Sequence, residues 1–176
     1  VITAQDSFGN TATSYTGDKS LTFSGASAAP SGTNPTVANK TGTQVNFGAA
    51  TTINFASGVA TAVGGTNGAL RLVKAESATV NVTDGSIDST SGGSLAVTVS
   101  GGAPNNLIFN QQPSTNATAG QTFATQPVVQ VRDQFNNTSP VTDTVTLTAF
   151  AGSGCSTAPN GTLSGGSVAA VAGVAT

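Results

Sequence analysis

Seven carboxylates (Asp6, Asp18, Glu76, Asp84, Asp88, Asp133 and Asp143) and one thiol, Cys155, are the groups in this 176-residue sequence best suited to acid–base or nucleophilic chemistry. Histidine is absent, which removes the commonest general base and metal ligand, and with it any Ser–His or Cys–His nucleophile. One cysteine and no histidine also exclude CxxC and HExxH patterns. Two carboxylates brought together across strands could work as a glycosidase pair. Only Asp84 and Asp88 are close in sequence, however, and with no Trp and one Tyr there is no aromatic cleft to hold a sugar. The residues predict a protein that is not an enzyme, with no cofactor.

The segment VTDGSIDST, residues 82–90, alternates Asp84, Ser86 and Asp88 around a glycine, in loose likeness to a calcium loop. The twelve-residue pattern is not met. The segment reads first as a plain turn between two strands, with calcium held by Asp84 and Asp88 at an inter-repeat junction as the lesser alternative. DSFGN, residues 6–10, has a local reading too. Asp6 can accept hydrogen bonds from following backbone N–H groups, Gly9 and Asn10 tolerate positive φ, and Phe8 is expected to plug one end of the fold. Asp133, Phe135 and Asn137 take the same structural-turn roles in DQFNN, where Asn136 replaces the glycine. Cation binding by Asp6 and Asp133 is weighed below turn capping.

Cys155, in GSGCSTAPNG, is either a free thiol or half of a bridge to a partner outside these residues. Asn39, Asn81, Asn116 and Asn137 stand in N-x-S/T sequons, most of them expected by chance in so Asn- and Thr-rich a chain. Glycans on these Asn are compatible with the fold only on exposed loops, and Thr-rich faces could also carry O-linked glycans. Lys19, Lys40, Arg71, Lys74 and Arg132 are scattered and form no basic stripe, so nucleic acid is not an expected partner.

Charged residues are only 7% of the chain and the net charge is −2, whereas roughly a quarter of its residues are Ser or Thr, so hydroxyls and amides keep the surface wet. Disorder is the first alternative for such a composition, but Val, Ile, Leu and Phe recur in short alternating runs that disordered segments lack. No window of a dozen residues escapes Gly, Pro, Asn or a β-branched residue, so no helix of ordinary length is expected and the class is all-β. Alternation places strands near residues 1–5, 19–24, 43–47, 50–56, 58–63, 69–74, 77–83 and 94–100. Leu70 with Leu72, Val80 with Val82, and Leu95 with Val97 and Val99 should each share one face. Leu107 with Phe109, Val129 with Val131, and Val145 with Leu147 should do so further on. No apolar run reaches the ~18 residues that a membrane span needs, so insertion is not expected. No secretion signal opens the chain, implying either a cleaved signal or a start well inside a larger protein.

These elements repeat. VITAQDSFGNT matches VVQVRDQFNNT, and Gly58-Val59-Ala60-Thr61 matches Gly173-Val174-Ala175-Thr176. The first copy is longer, and its surplus is expected in a surface loop over residues 24–44, rich in Gly, Pro, Asn and Ser. A new repeat would begin at GGAPNNLIF, residues 101–109. Residues 1–100 then read as one repeat lacking its first strands, and residues 101–176 as the N-terminal part of a second. Exposed edges of that kind are expected to be covered by self-association with other copies or adjacent repeats.

The V-x-A/V-x-D-x-F-G/N-N turn, the G-V-A-T strand and the QPS…AG-x-x-F…QPVVQV run at residues 112–131 resemble the bacterial immunoglobulin-like repeats of large surface proteins of the invasin and intimin type. The resemblance implies an immunoglobulin-like Greek-key β-sandwich in tandem, serving extracellularly or at the cell surface as a structural part of a filament, sheath or stalk, without catalytic residues. Its alternatives are an adhesin domain for a host or matrix ligand, which few aromatics favour, and a carbohydrate-binding module.

Overall fold

The computed structural model describes residues 1–150, Cys155 and 163–176. These residues contain strands, bridges and turns but no helix, so none is long and apolar enough to cross a membrane. The fold is all-β, in antiparallel sheets consistent with a β-sandwich. The chain forms two compact units, Val1–Val99 and Ser100–Thr176.

The first unit contains β1 (Ile2–Thr3), β2 (Gly17–Ser24), β3 (Thr36–Ala38), β4 (Gln44–Asn46), β5 (Ala50–Phe55), β6 (Val59–Ala60), β7 (Leu70–Arg71), β8 (Glu76–Thr83) and β9 (Leu95–Val99). They pair in the orders β5-β2-β8-β9, β4-β3-β7 and β1-β6. Alternation decides which side chains turn inward. In β5, Thr51, Ile53 and Phe55 are buried while the residues between them are exposed, and β2 contributes Leu21 and Phe23. Val37 of β3, Ala60 of β6 and Val80 of β8 complete a shared core, so all three sheets close on one another.

The expected surface loop over residues 24–44 is interrupted by β3, whose three residues are all buried. As the middle strand of its sheet, β3 is covered on both faces and shows no apolar–polar alternation to betray it. Thr36 meets burial by donating its hydroxyl to Gln44 Oε1 at 2.6 Å. Leu70 is also not an inward partner of Leu72: it is exposed, while Leu72 packs on the core. β7 has only two residues and its pairing ends before Leu72.

The second unit contains β10 (Asn106–Gln111), β11 (Val128–Arg132), β12 (Thr144–Thr146), β13 (Ser167–Ala169) and β14 (Val174–Ala175), paired as β10-β11-β14 and β12-β13. Its core is Val129, Val131, Val145, Ala170 and Ala175. Leu107 and Phe109 stand opposite the buried Val131 and Val129, so they lie on the same face. They are nevertheless 56% and 47% exposed, because β10 is the edge strand of its sheet.

The pairings of one unit recur in the other. Ile2↔Ala60 and Thr3↔Val59 in β1 and β6 correspond to Val129↔Ala175 and Gln130↔Val174 in β11 and β14. The bridges Gln5↔Thr11 and Ala56↔Val59 correspond to Arg132↔Thr138 and Val171↔Val174. Lys19↔Ile53 and Ser20↔Thr52 correspond in turn to Val145↔Val168 and Thr146↔Ser167.

Candidate functional site

The two aspartate turns are built alike. Asp6 Oδ1 accepts the Phe8 and Asn10 backbone N–H groups, each at 2.9 Å, and Asn10 Nδ2 donates to Oδ2 at 3.1 Å. Asp133 Oδ1 accepts the Phe135 and Asn137 N–H groups at 2.8 and 2.9 Å, and Asn137 Nδ2 donates to Oδ2 at 3.0 Å. Gly9 and Asn136 hold the positive φ in each. Phe8 does not plug the fold: it is 88% exposed at the tip of the turn, while Phe135 is half-buried.

Burial separates the two turns. Asp133 is 2% exposed, whereas Asp6 lies on the surface. In the second unit the Gly102 N–H donates to Asp133 Oδ2 at 2.8 Å, and Ser139 Oγ donates to the Gly102 carbonyl at 2.5 Å. A side chain on Gly101 would overlap the Thr138 carbonyl. The Gly-Gly pair thus lies as a close-fitting cover on the turn. Asp6 is held below the usual carboxylate range by its bonds to Asn10 and Phe8. Burial pushes the Asp133 carboxyl up, but donors from Asn137, Gly102 and Phe135 outweigh it and hold it below that range.

Beside β1 in the first unit lies a groove of about 530 Å³, lined by residues 1–6, the core side chains Leu21, Phe23, Phe55 and Val80, and Ile87 and Leu95. Tyr15 and Asp84 also line it. The Tyr15 hydroxyl donates to Asp84 Oδ2 at 2.7 Å. Its ring meets Phe55 edge-on at 4.9 Å, with Lys19 Nζ 4.6 Å above it. Burial, then the Asp84 bond and its charge, push the Tyr15 hydroxyl up to about 12. Sixty-nine residues separate the two partners, so no local pattern signals this pair.

Tyr15 is the only tyrosine, so its ionisation can be followed by ultraviolet absorbance. The midpoint is expected at about 12, moving towards 10 in Asp84→Asn. A folded value above the unfolded one means that the stabilisation is complete below about pH 10 and fades as pH rises through the folded value. An unchanged midpoint in Asp84→Asn would refute the share of the shift assigned to Asp84, leaving burial as its sole cause.

The other candidates are engaged locally. Asp84 Oδ1 accepts the Ser86 and Ile87 N–H groups at 2.8 and 2.9 Å, so both of its oxygens have donors. Asp88 Oδ1 accepts from the Thr90 backbone and hydroxyl. Among the described residues no three His, Cys, Asp or Glu side chains gather as a metal site. Asp18 bonds Lys40 and Asn54, and Glu76 bonds Lys74 and the Ser27 N–H. Asn116 is exposed, whereas Asn137 is buried with its amide nitrogen on Asp133. Cys155 is exposed with a free thiol, and the rest of its loop, 152–154 and 156–161, lies outside the described residues. In comparisons with protein families, curated proteins and solved structures, nothing matches this chain.

Proposed function

We propose that this chain is a structural module of a bacterial extracellular filament, sheath or surface stalk, built from tandem immunoglobulin-like Greek-key repeats that assemble through β-strand edges and repeat–repeat contacts. The observation that carries the reading is the recurrence of one hydrogen-bond framework in both units. Ala4 N–H donates to Gly58 O at 2.8 Å, as Val131 N–H does to Gly173 O, and Ala12 N–H donates to Ala4 O at 2.9 Å, as Ser139 N–H does to Val131 O. Shared backbone geometry under differing side chains is what duplication of one module leaves behind, and stacked modules are suited to spanning distance.

The scarcity of charge agrees with that role, since hydroxyl- and amide-rich faces contact one another without repulsion or ion-pair desolvation. Electron microscopy of the native assembly tests the proposal. A beaded rod or ordered polymer is expected, with beads spaced by roughly 35–45 Å, the diameter of a ~120-residue module. Isolated compact particles at every concentration would overturn it.

A further inference from the structure

Two Asn-Gly pairs occur in the chain. Asn67-Gly68 stands between β6 and β7, and Asn160-Gly161 lies outside the described residues. β5 ends its sheet, and its outward backbone groups are met by turns instead of by a strand. Asn67 Oδ1 accepts the Asn54 N–H at 2.7 Å, and Asn67 Nδ2 donates to the Asn54 carbonyl at 2.9 Å. One side-chain amide thus bonds β5 as a paired backbone residue does. The Lys40 N–H, on the Thr52 carbonyl at 2.8 Å, meets the next outward position. Occupied in this way, the edge cannot template another chain.

The same dipeptide carries a chemical weakness. Glycine has no side chain to shield its nitrogen, so Gly68 N can attack Asn67 Cγ. The side-chain nitrogen leaves as ammonia, and water opens the resulting cyclic imide to aspartate or isoaspartate; amide and water become acid and ammonia. In the folded unit the attack is restrained on every side. The Gly68 N–H donates to the Ala38 carbonyl and the Asn67 N–H to the Asn39 carbonyl, each at 2.8 Å, while Asn54 holds the amide. We propose that Asn67-Gly68 is a spontaneous deamidation site that the fold holds shut, and that its conversion unlocks the outer edge of β5. A carboxylate has no donor for the Asn54 carbonyl, or for that of Thr61, 3.4 Å from Nδ2, and it sets like charge against both. Isoaspartate also lengthens the main chain by one carbon between the bonds to Asn39 and Ala38.

Incubating the full chain at mildly alkaline pH, with peptide mapping to separate the two Asn-Gly pairs, tests the lock. Deamidation at Asn67 is expected to be at least about tenfold slower in the folded chain than in urea, because reaction waits for local opening. Equal rates would overturn the lock. Asn67→Asp tests the consequence directly by hydrogen exchange. At neutral pH the Asn54 amide should lose at least about tenfold of its protection while β8 keeps its own. Acid returns an O–H donor to the introduced carboxyl, so protection at Asn54 should recover below about pH 4, a reversal that a merely structural lesion does not show. An Asn54 amide as protected in Asn67→Asp as in the parent chain would overturn the unlocking of the edge. Loss that spreads through β8 would overturn its local nature, and loss without recovery in acid would overturn the missing donor as its cause.

Discussion

Replacing Asp133 by Ala is expected to destabilise the second unit by about 3 kcal/mol, whereas Asp6→Ala, at an exposed turn, is expected to cost the first unit much less. Both changes delete the same turn-capping carboxylate. At 2% exposure, Asp133→Ala removes the carboxylate that accepts from the N–H groups of Gly102, Phe135 and Asn137 and from the Asn137 amide, in a site closed to solvent. Around Asp6 the orphaned donors turn to solvent. Hydrogen exchange resolved by residue in the full chain would measure both costs, each unit reporting through its own strands. Equal losses in the two units would show that the Gly101–Gly102 cover has no energetic role. Acid gives a second readout. The Asp133 carboxyl is held below its ordinary value when folded, so its contribution is present above about pH 4 and is lost as pH falls through the folded value. Asp133→Asn should therefore weaken that acid-dependent part of the second unit's stability.

Gly173→Ala is expected to be at least as damaging, at about 3–4 kcal/mol, with Gly58→Ala costing about 2–3 kcal/mol. Gly173 has φ of +82°, and a Cβ there would overlap the Ser139 carbonyl oxygen and come within 2.9 Å of Thr138 Cγ2. At Gly58 the φ is +83°, and the same atom would lie 2.6 Å from the Ala12 carbonyl oxygen and 2.8 Å from Thr11 Cγ2. A backbone carbonyl cannot swing aside as a side chain does, so relief would have to come from parting the glycine's turn from the segment that follows the aspartate turn, Thr11–Ala12 or Thr138–Ser139. Gly120→Ala separates the two causes, because its φ is +78° with nothing within 4 Å. It should cost only the conformational share, about 1–2 kcal/mol. Urea unfolding of the three variants orders these costs, and a Gly173→Ala variant no weaker than Gly120→Ala would refute the steric account.

Sequence alone determined the features that rest on short-range stereochemistry. The absence of any helix-compatible window and the alternation of Thr51, Ile53 and Phe55 are consequences of residue type and of the two-residue period of a strand. The matching aspartate turns are equally local, since acceptor and donors lie within four residues. Tertiary structure decided what depends on a neighbour distant along the chain. It buried all of Thr36–Ala38 between β4 and β7, joined Tyr15 to Asp84, left Phe8 and Phe109 in solvent, and covered Asp133 but not Asp6. Burial is a property of what lies opposite. Two segments with the same pattern and matching turn hydrogen bonds therefore differ in exposure, according to whether another segment lies over them.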